Sequence, residues 1–166
     1  MSEFPAGRPG NHTAVTGEQL SAESLLRRPV RLRGIRLGHP ADVLLDAESL
    51  RVVGLEVACG DDERRFLPLA AARVQDDQIA VGSALMLLEG DDLAFYRRRG
   101  RMLSAIRGRT VSHAGRQIGI LRDVVLDADG AVSLLEVETT GGPTPVRIRV
   151  PLDGTVAVDQ APASAA

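Results

Sequence analysis

The chain has 166 residues, of which 44% are apolar and 25% charged, a globular composition that excludes an intrinsically disordered class. Aromatic residues make up only 2% with no Trp, so any core is aliphatic, and the single cysteine, Cys59, excludes an intrachain disulfide and any multi-cysteine metal site. Net charge is −2, but all twenty basic residues are arginine, and they are unevenly placed.

The opening MSEFPAGRPGNHTAVTGEQ carries no hydrophobic signal segment, and no apolar run approaches the roughly 20 residues that cross a bilayer, so a soluble, cytoplasmic protein is expected. Residues 1–18 mix Gly, Pro, Ser, Thr and Asn without periodicity and read as a mobile tail, as do residues 160–166. The first ordered piece is LSAESLLRR, in which Ser21 caps a short helix with Leu25 and Leu26 turned inward. A matching LSAI occurs at Leu103 to Ile106, where Ser104 reads as a second cap. From Val30 the order Val-Arg-Leu-Arg alternates as a half-buried strand does, which puts Arg31 and Arg33 on its polar side.

The most informative segment follows. GIRLGHPADVLLD at 34–46 returns as GRQIGILRDVVLD at 115–127, with six of thirteen aligned residues identical. Gly34, Gly38, Gly115 and Gly119 mark tight corners or close backbone approach within it. The second copy closes on DADG, a hairpin signal. RVVGLEV and AVSLLEV supply the next strand, RFLPL and RVPL share a Pro followed by Leu, and IAV and VAV finish each copy. About five or six short strands per copy, with glycine corners, suit two small closed β-barrels in a mainly β chain. The expected organisation is a first repeat at 19–88, a linker with a short helix at 89–101 and a second repeat at 102–159. The first repeat carries AAARVQDD before its last strand where the second has only DGT, so one side has been trimmed. The short linker and many aliphatic positions predict that the barrels pack on each other as a covalent pseudo-dimer. In the linker EGDDLAFYRRRGRM, Asp91 or Asp92 caps the helix, Gly100 ends it, and Phe95 and Tyr96 pin it against a barrel.

The pattern of short helix, Val, Gly, then Gly-x-x-x-Asp-Val-x-Leu-Asp, a Leu-Glu-Val strand and a Pro-Leu strand resembles the PRC-barrel domain in tandem, over about residues 20–81 and 102–158. The resemblance implies a binding or adaptor module with no common enzymatic activity. Relatives of that family include the C-terminal domain of a ribosome maturation factor and domains attached to membrane complexes, which suggests two alternatives: an RNA- or ribosome-associated factor, or a regulatory module for a membrane complex or transporter.

Paired carboxylates can mean acid–base or metal chemistry, and Asp42, Asp46 and Glu56 recur as Asp123, Asp127 and Glu136. Recurrence favours a structural role, because an active site rarely needs the same acids in both halves whereas each barrel needs capped turns. DADG lacks the later ligands of a calcium loop, and His12, His39 and His113 are not spaced as a ligand set. No catalytic residue, cofactor or metal is expected. The arginines lead instead: Arg27, Arg28, Arg31, Arg33 and Arg36 form one acid-free stretch, and Arg97, Arg98, Arg99, Arg101, Arg107, Arg109 and Arg116 another, each leading into a barrel. Arginine forks suit phosphate or carboxylate. Arg31, Arg33, Arg97, Arg98, Arg99, Arg101 and Arg109 are the candidate partner-binding residues, for a protein first and an anionic partner such as RNA second.

Overall fold

The computed structural model describes residues 20–142, 145–150 and 156–158. Both expected tails, His12, Pro151, Leu152 and the DGT segment lie outside them. The chain is mainly β, folded into two curled sheets, one per repeat.

In chain order the first part runs β1 (Leu20–Ser21), α1 (Ala22–Leu26), β2 (Val30–Leu32), β3 (Ile35–Asp46), β4 (Val52–Cys59), β5 (Arg64–Pro68), β6 (Ala72–Val74) and β7 (Ile79–Val81). The linker helix α2 (Asp91–Arg99) and β8 (Gly100–Met102) follow. The second part is α3 (Leu103–Ile106), β9 (Thr110–His113), β10 (Arg116–Leu126), β11 (Val132–Glu138), β12 (Val146–Arg149) and β13 (Val156–Val158). The first sheet has the order β5-β4-β3-β2-β7-β6 and the second β12-β11-β10-β9-β13.

Local chemistry explains the shared scaffold. Arg33-Gly34 and Ala114-Gly115 are two-residue hairpins with positive φ at every position, so Leu32 faces Ile35 and His113 faces Arg116. Arg33 therefore belongs to the turn and not to the polar side of β2. Gly38 and Gly119 lie against the facing strands β4 and β11, where a Cβ would lie 2.3 Å from the carbonyl oxygens of Ala58 and Glu138 respectively; on their other side the pairing with β2 and β9 shifts register at the same glycines. Asp46 accepts the amides of Ser49 and Glu48, and Asp127 accepts those of Asp129 and Ala131, so both close their turns as expected. Those amides, Ser49 first, hold the Asp46 carboxyl below its ordinary range.

The long strands serve both repeats. On one edge β3 pairs with β2 through residues 35–38 and with β8 through residues 44–46, and Pro40 falls at the step between them, beside a register shift. Strand β10 likewise pairs with β9 and, at its far end, with β1. The segment before each repeat thus adds its strand to the other repeat's sheet. The starts of β4 and β11 also meet: Val52 donates to Gly130 at 2.9 Å and Val132 donates to Leu50 at 3.1 Å, around an Arg51–Ala131 bridge. These contacts occur in reciprocal pairs, the pattern of a twofold. A single large apolar cluster runs through both sheets, from Ala22, Leu25 and Leu55 to Leu103, Leu121 and Leu135.

Two local expectations are corrected, and one difference between the copies is new. The LSA match is out of phase by two residues: α1 starts after Ser21, whose Oγ accepts the Ser24 amide, but α3 starts after Met102, and Ser104 lies inside it. The helix α2 is preceded by Gly90, with Asp91 and Asp92 in its first turn and no side chain capping it. IAV and VAV run in opposite senses, β7 parallel to β2 and β13 antiparallel to β9, because the β6–β7 hairpin of the first repeat adds one reversal.

Candidate functional site

The recurring acids organise the molecule around two carboxylate pairs. Strand register sets Asp42 opposite Glu56 and Asp123 opposite Glu136. Like charges facing each other across strands are unfavourable unless each finds a donor. Asp42 and Asp123 find theirs in the lead-in helices. Asp123 Oδ2 accepts the amide of Glu23 at 3.0 Å, and its Oδ1 accepts Arg107 at 2.9 Å. Asp42 Oδ1 accepts the amide of Ser104 at 3.2 Å, and its other oxygen takes the Ser104 hydroxyl. Glu23 and Ser104 are therefore equivalent positions. These aspartates do not cap turns of their own repeat; each ties down the helix that leads into the other, which corrects the expectation that each serves its own barrel.

The glutamates gather arginines. Glu56 accepts Arg97 Nη2 at 2.8 Å and Arg64 Nη1 at 3.5 Å, while Glu136 accepts Arg147 at 2.9 Å. The Glu56 contact brings α2 onto the first sheet. Leu93 is buried there with Leu44 and Phe66, and Tyr96 stacks on Phe66 with ring centroids 4.1 Å apart. Tyr96 pins the linker as expected. Phe95 does not: it meets Tyr96 edge-on and remains 45% exposed, with the Arg99 guanidinium 5.3 Å above its ring.

The seven candidate arginines divide by environment. Arg97 is bound to Glu56, Arg31 donates to the Gly34 carbonyl, and Arg109 donates to the Ala105 carbonyl. Arg33 is exposed at its hairpin tip, Arg98 and Arg99 are exposed in the last turn of α2, and Arg101 is half-buried in β8. Arg31 and Arg33 lie at the hairpin that opens β3, whereas β8, which follows α2, pairs with the last residues of that strand, Leu44 to Asp46, so the two basic groups sit at opposite ends of β3.

Sequence reasoning missed the exposed apolar residues in and just before the linker. Leu85 and Met86, in the 3₁₀ turn Ala84–Met86, are exposed, and with Phe95 they are three of the five exposed large hydrophobics among the described residues, the others being Ile35 and Val146. Their signal was the run ALMLL, apolar but too short to be a core helix. Phe95, Tyr96, Arg99, Asp46, Val53 and Gly100 line a small groove of about 150 Å³. A larger, polar cavity of about 500 Å³ opens on the second sheet beside Asp123 and Glu136. Among the described residues no three His, Cys, Asp or Glu side chains converge as a metal group, and no helix is long and apolar enough to cross a membrane.

No protein-family model matches the chain, and no curated protein matches it.

Proposed function

We propose that the chain is a non-enzymatic tandem PRC-barrel protein, its two curled sheets being two small barrels joined as a covalent pseudo-dimer, and that it works in the cytoplasm as an adaptor that assembles with another protein. The linker is the contact surface. The observation that carries this reading is the division of α2: Leu93, Tyr96 and Arg97 face the first sheet, while Phe95 stays exposed with Arg98 and Arg99 beside it and Leu85 and Met86 upstream. Exposed apolar side chains rimmed by arginine are the composition of protein contact surfaces. Arg97 is taken out of the contact set, because its guanidinium already holds Glu56.

The test is capture of native partners by the full chain and by a Phe95→Ser, Arg98→Glu variant. Partners retained by the first and lost by the second support the linker surface. An unchanged partner set contradicts it.

A second reading, an RNA- or ribosome-associated factor, draws on the exposed arginines of the hairpin tips, Arg33, Arg36 and Arg116. Phosphate binding would weaken steeply as salt rises, and no RNA binding at low salt would remove this reading.

A further inference from the structure

The register of the first sheet sets one row of residues opposite one another across four strands: Arg36 on β3, Arg31 on β2, Ala80 on β7 and Arg73 on β6. Residues in one row point to the same face of a sheet. That face is the outer one, because the neighbours of the row along the strands, Val30, Leu32, Val74, Ile79 and Val81, pack in or against the apolar core. At the ordinary strand spacing the row is about 14 Å long. Arg36 and Arg73 are exposed, and the half-buried Ala80, with only a methyl, leaves an open step between Arg31 and Arg73.

Like charges facing each other across strands are destabilising unless something offsets them. Among the described residues no carboxylate pairs with Arg31, Arg36 or Arg73. Arg31 gives one amino group to the Gly34 carbonyl, which holds its guanidinium in place with the rest of its donor fork open. Of the acids in the adjoining turns, Asp61 is held by Arg65, and Asp76 and Asp77 lie beyond the Gln75–Gln78 pair. The scaffold does not require the row. The second sheet has Gln117, Ser112 and Ala157 at the equivalent places and, among the described residues, ends there. Arg73 itself comes from the AAARVQDD segment that the second repeat lacks.

We infer that this row is a binding site for the phosphate groups of a linear polyanion lying across strands β3, β2, β7 and β6. Arginine forks take phosphate oxygens in pairs, and guanidiniums spread over about 14 Å match several phosphates in line rather than one small anion. A protein partner would need an apolar anchor, and the row offers none: Ile35, the exposed large hydrophobic of the same hairpin, is opposite Leu32 and so points to the other face. The site is independent of the linker surface. It shares Arg36 with the RNA reading but does not rest on it, since a polyphosphate of any source carries the same groups.

The test is an NMR titration of the full chain with inorganic tripolyphosphate at low salt, with poly-glutamate and a short oligouridine in parallel. Shifts from tripolyphosphate are expected at the backbone amides of Arg31, Arg36, Arg73 and Ala80. Arg73→Gln is expected to weaken binding by about threefold to fivefold, the scale of one exposed charge contact. Arg33→Gln, at the hairpin tip and outside the row, should leave it nearly unchanged. An oligouridine that competes at these amides makes RNA the source of the phosphates; one that does not leaves the site to a free polyphosphate, whatever becomes of the RNA reading. Absence of shifts at these amides, equal loss in the two variants, or poly-glutamate binding as tightly as tripolyphosphate would each overturn the assignment.

Discussion

Asp123 accepts the backbone amide of Glu23, 100 positions earlier in the chain, at 3.0 Å. Its equivalent, Asp42, accepts the amide of Ser104 at 3.2 Å. The repeated aspartate is thus a device for holding the two repeats to each other. Asp123→Ala leaves the Glu23 amide and the Arg107 guanidinium without their acceptor, and a loss of about 2 kcal/mol is expected. Asp123→Asn, which keeps one acceptor, should lose less. Urea unfolding of the three proteins checks the order.

The repeated spacing of glycines separates into two physical roles. Gly38→Ala and Gly119→Ala would each place a methyl 2.3 Å from a carbonyl oxygen of the neighbouring strand, and a cost of about 3 kcal/mol is expected from the forced backbone shift. Gly34→Ala meets nothing within 4 Å and bears only its positive φ of 84°, a cost of about 1 kcal/mol. Thermal melts of the three variants should fall in that order.

Much of this was legible in the sequence and some was not. The 34–46 and 115–127 match located the shared strands, the glycine corners and the turns closed by Asp46 and Asp127, because each depends on local geometry and so leaves a local pattern. The LSA match misled, since three identical letters fall two positions out of phase with the backbone equivalence that places Ser104 beside Asp42. The exchange of β1 and β8 between sheets left no local pattern, because pairing across about 105 residues for β1 and about 55 for β8 is decided by packing and not by neighbouring residues. Phe95 and Tyr96 are adjacent, yet on a helix adjacent residues point about 100° apart, so one packs and the other faces out.

That division gives a contrast between neighbours. Tyr96→Ala removes the stack on Phe66, and about 2 kcal/mol of stability is expected to go with it. Phe95→Ser should change stability by only about 0.5 kcal/mol while altering the exposed surface. Denaturant unfolding of both variants distinguishes a packing residue from a surface one.

Burial, and then the charges of Arg36 and Arg31, push the His39 imidazole below its ordinary 6.5. A lowered histidine value means the folded state resists the proton that the unfolded state takes up. Stability from this group is therefore full above about pH 6.5 and declines as pH falls from there toward the folded value. His39→Asn should flatten that part of the stability–pH curve. Arg36→Gln should raise the His39 midpoint in an NMR titration, while burial keeps it below the ordinary value.

The reciprocal contacts make the two repeats one cooperative unit, which residue-by-residue urea unfolding followed by NMR tests directly. Amides of Leu55 and Leu67 report the first sheet, and those of Leu135 and Val137 the second. A single shared midpoint for all four is expected, and Asp123→Ala should move all of them together. Two separated midpoints, or a shift confined to one sheet, would contradict it.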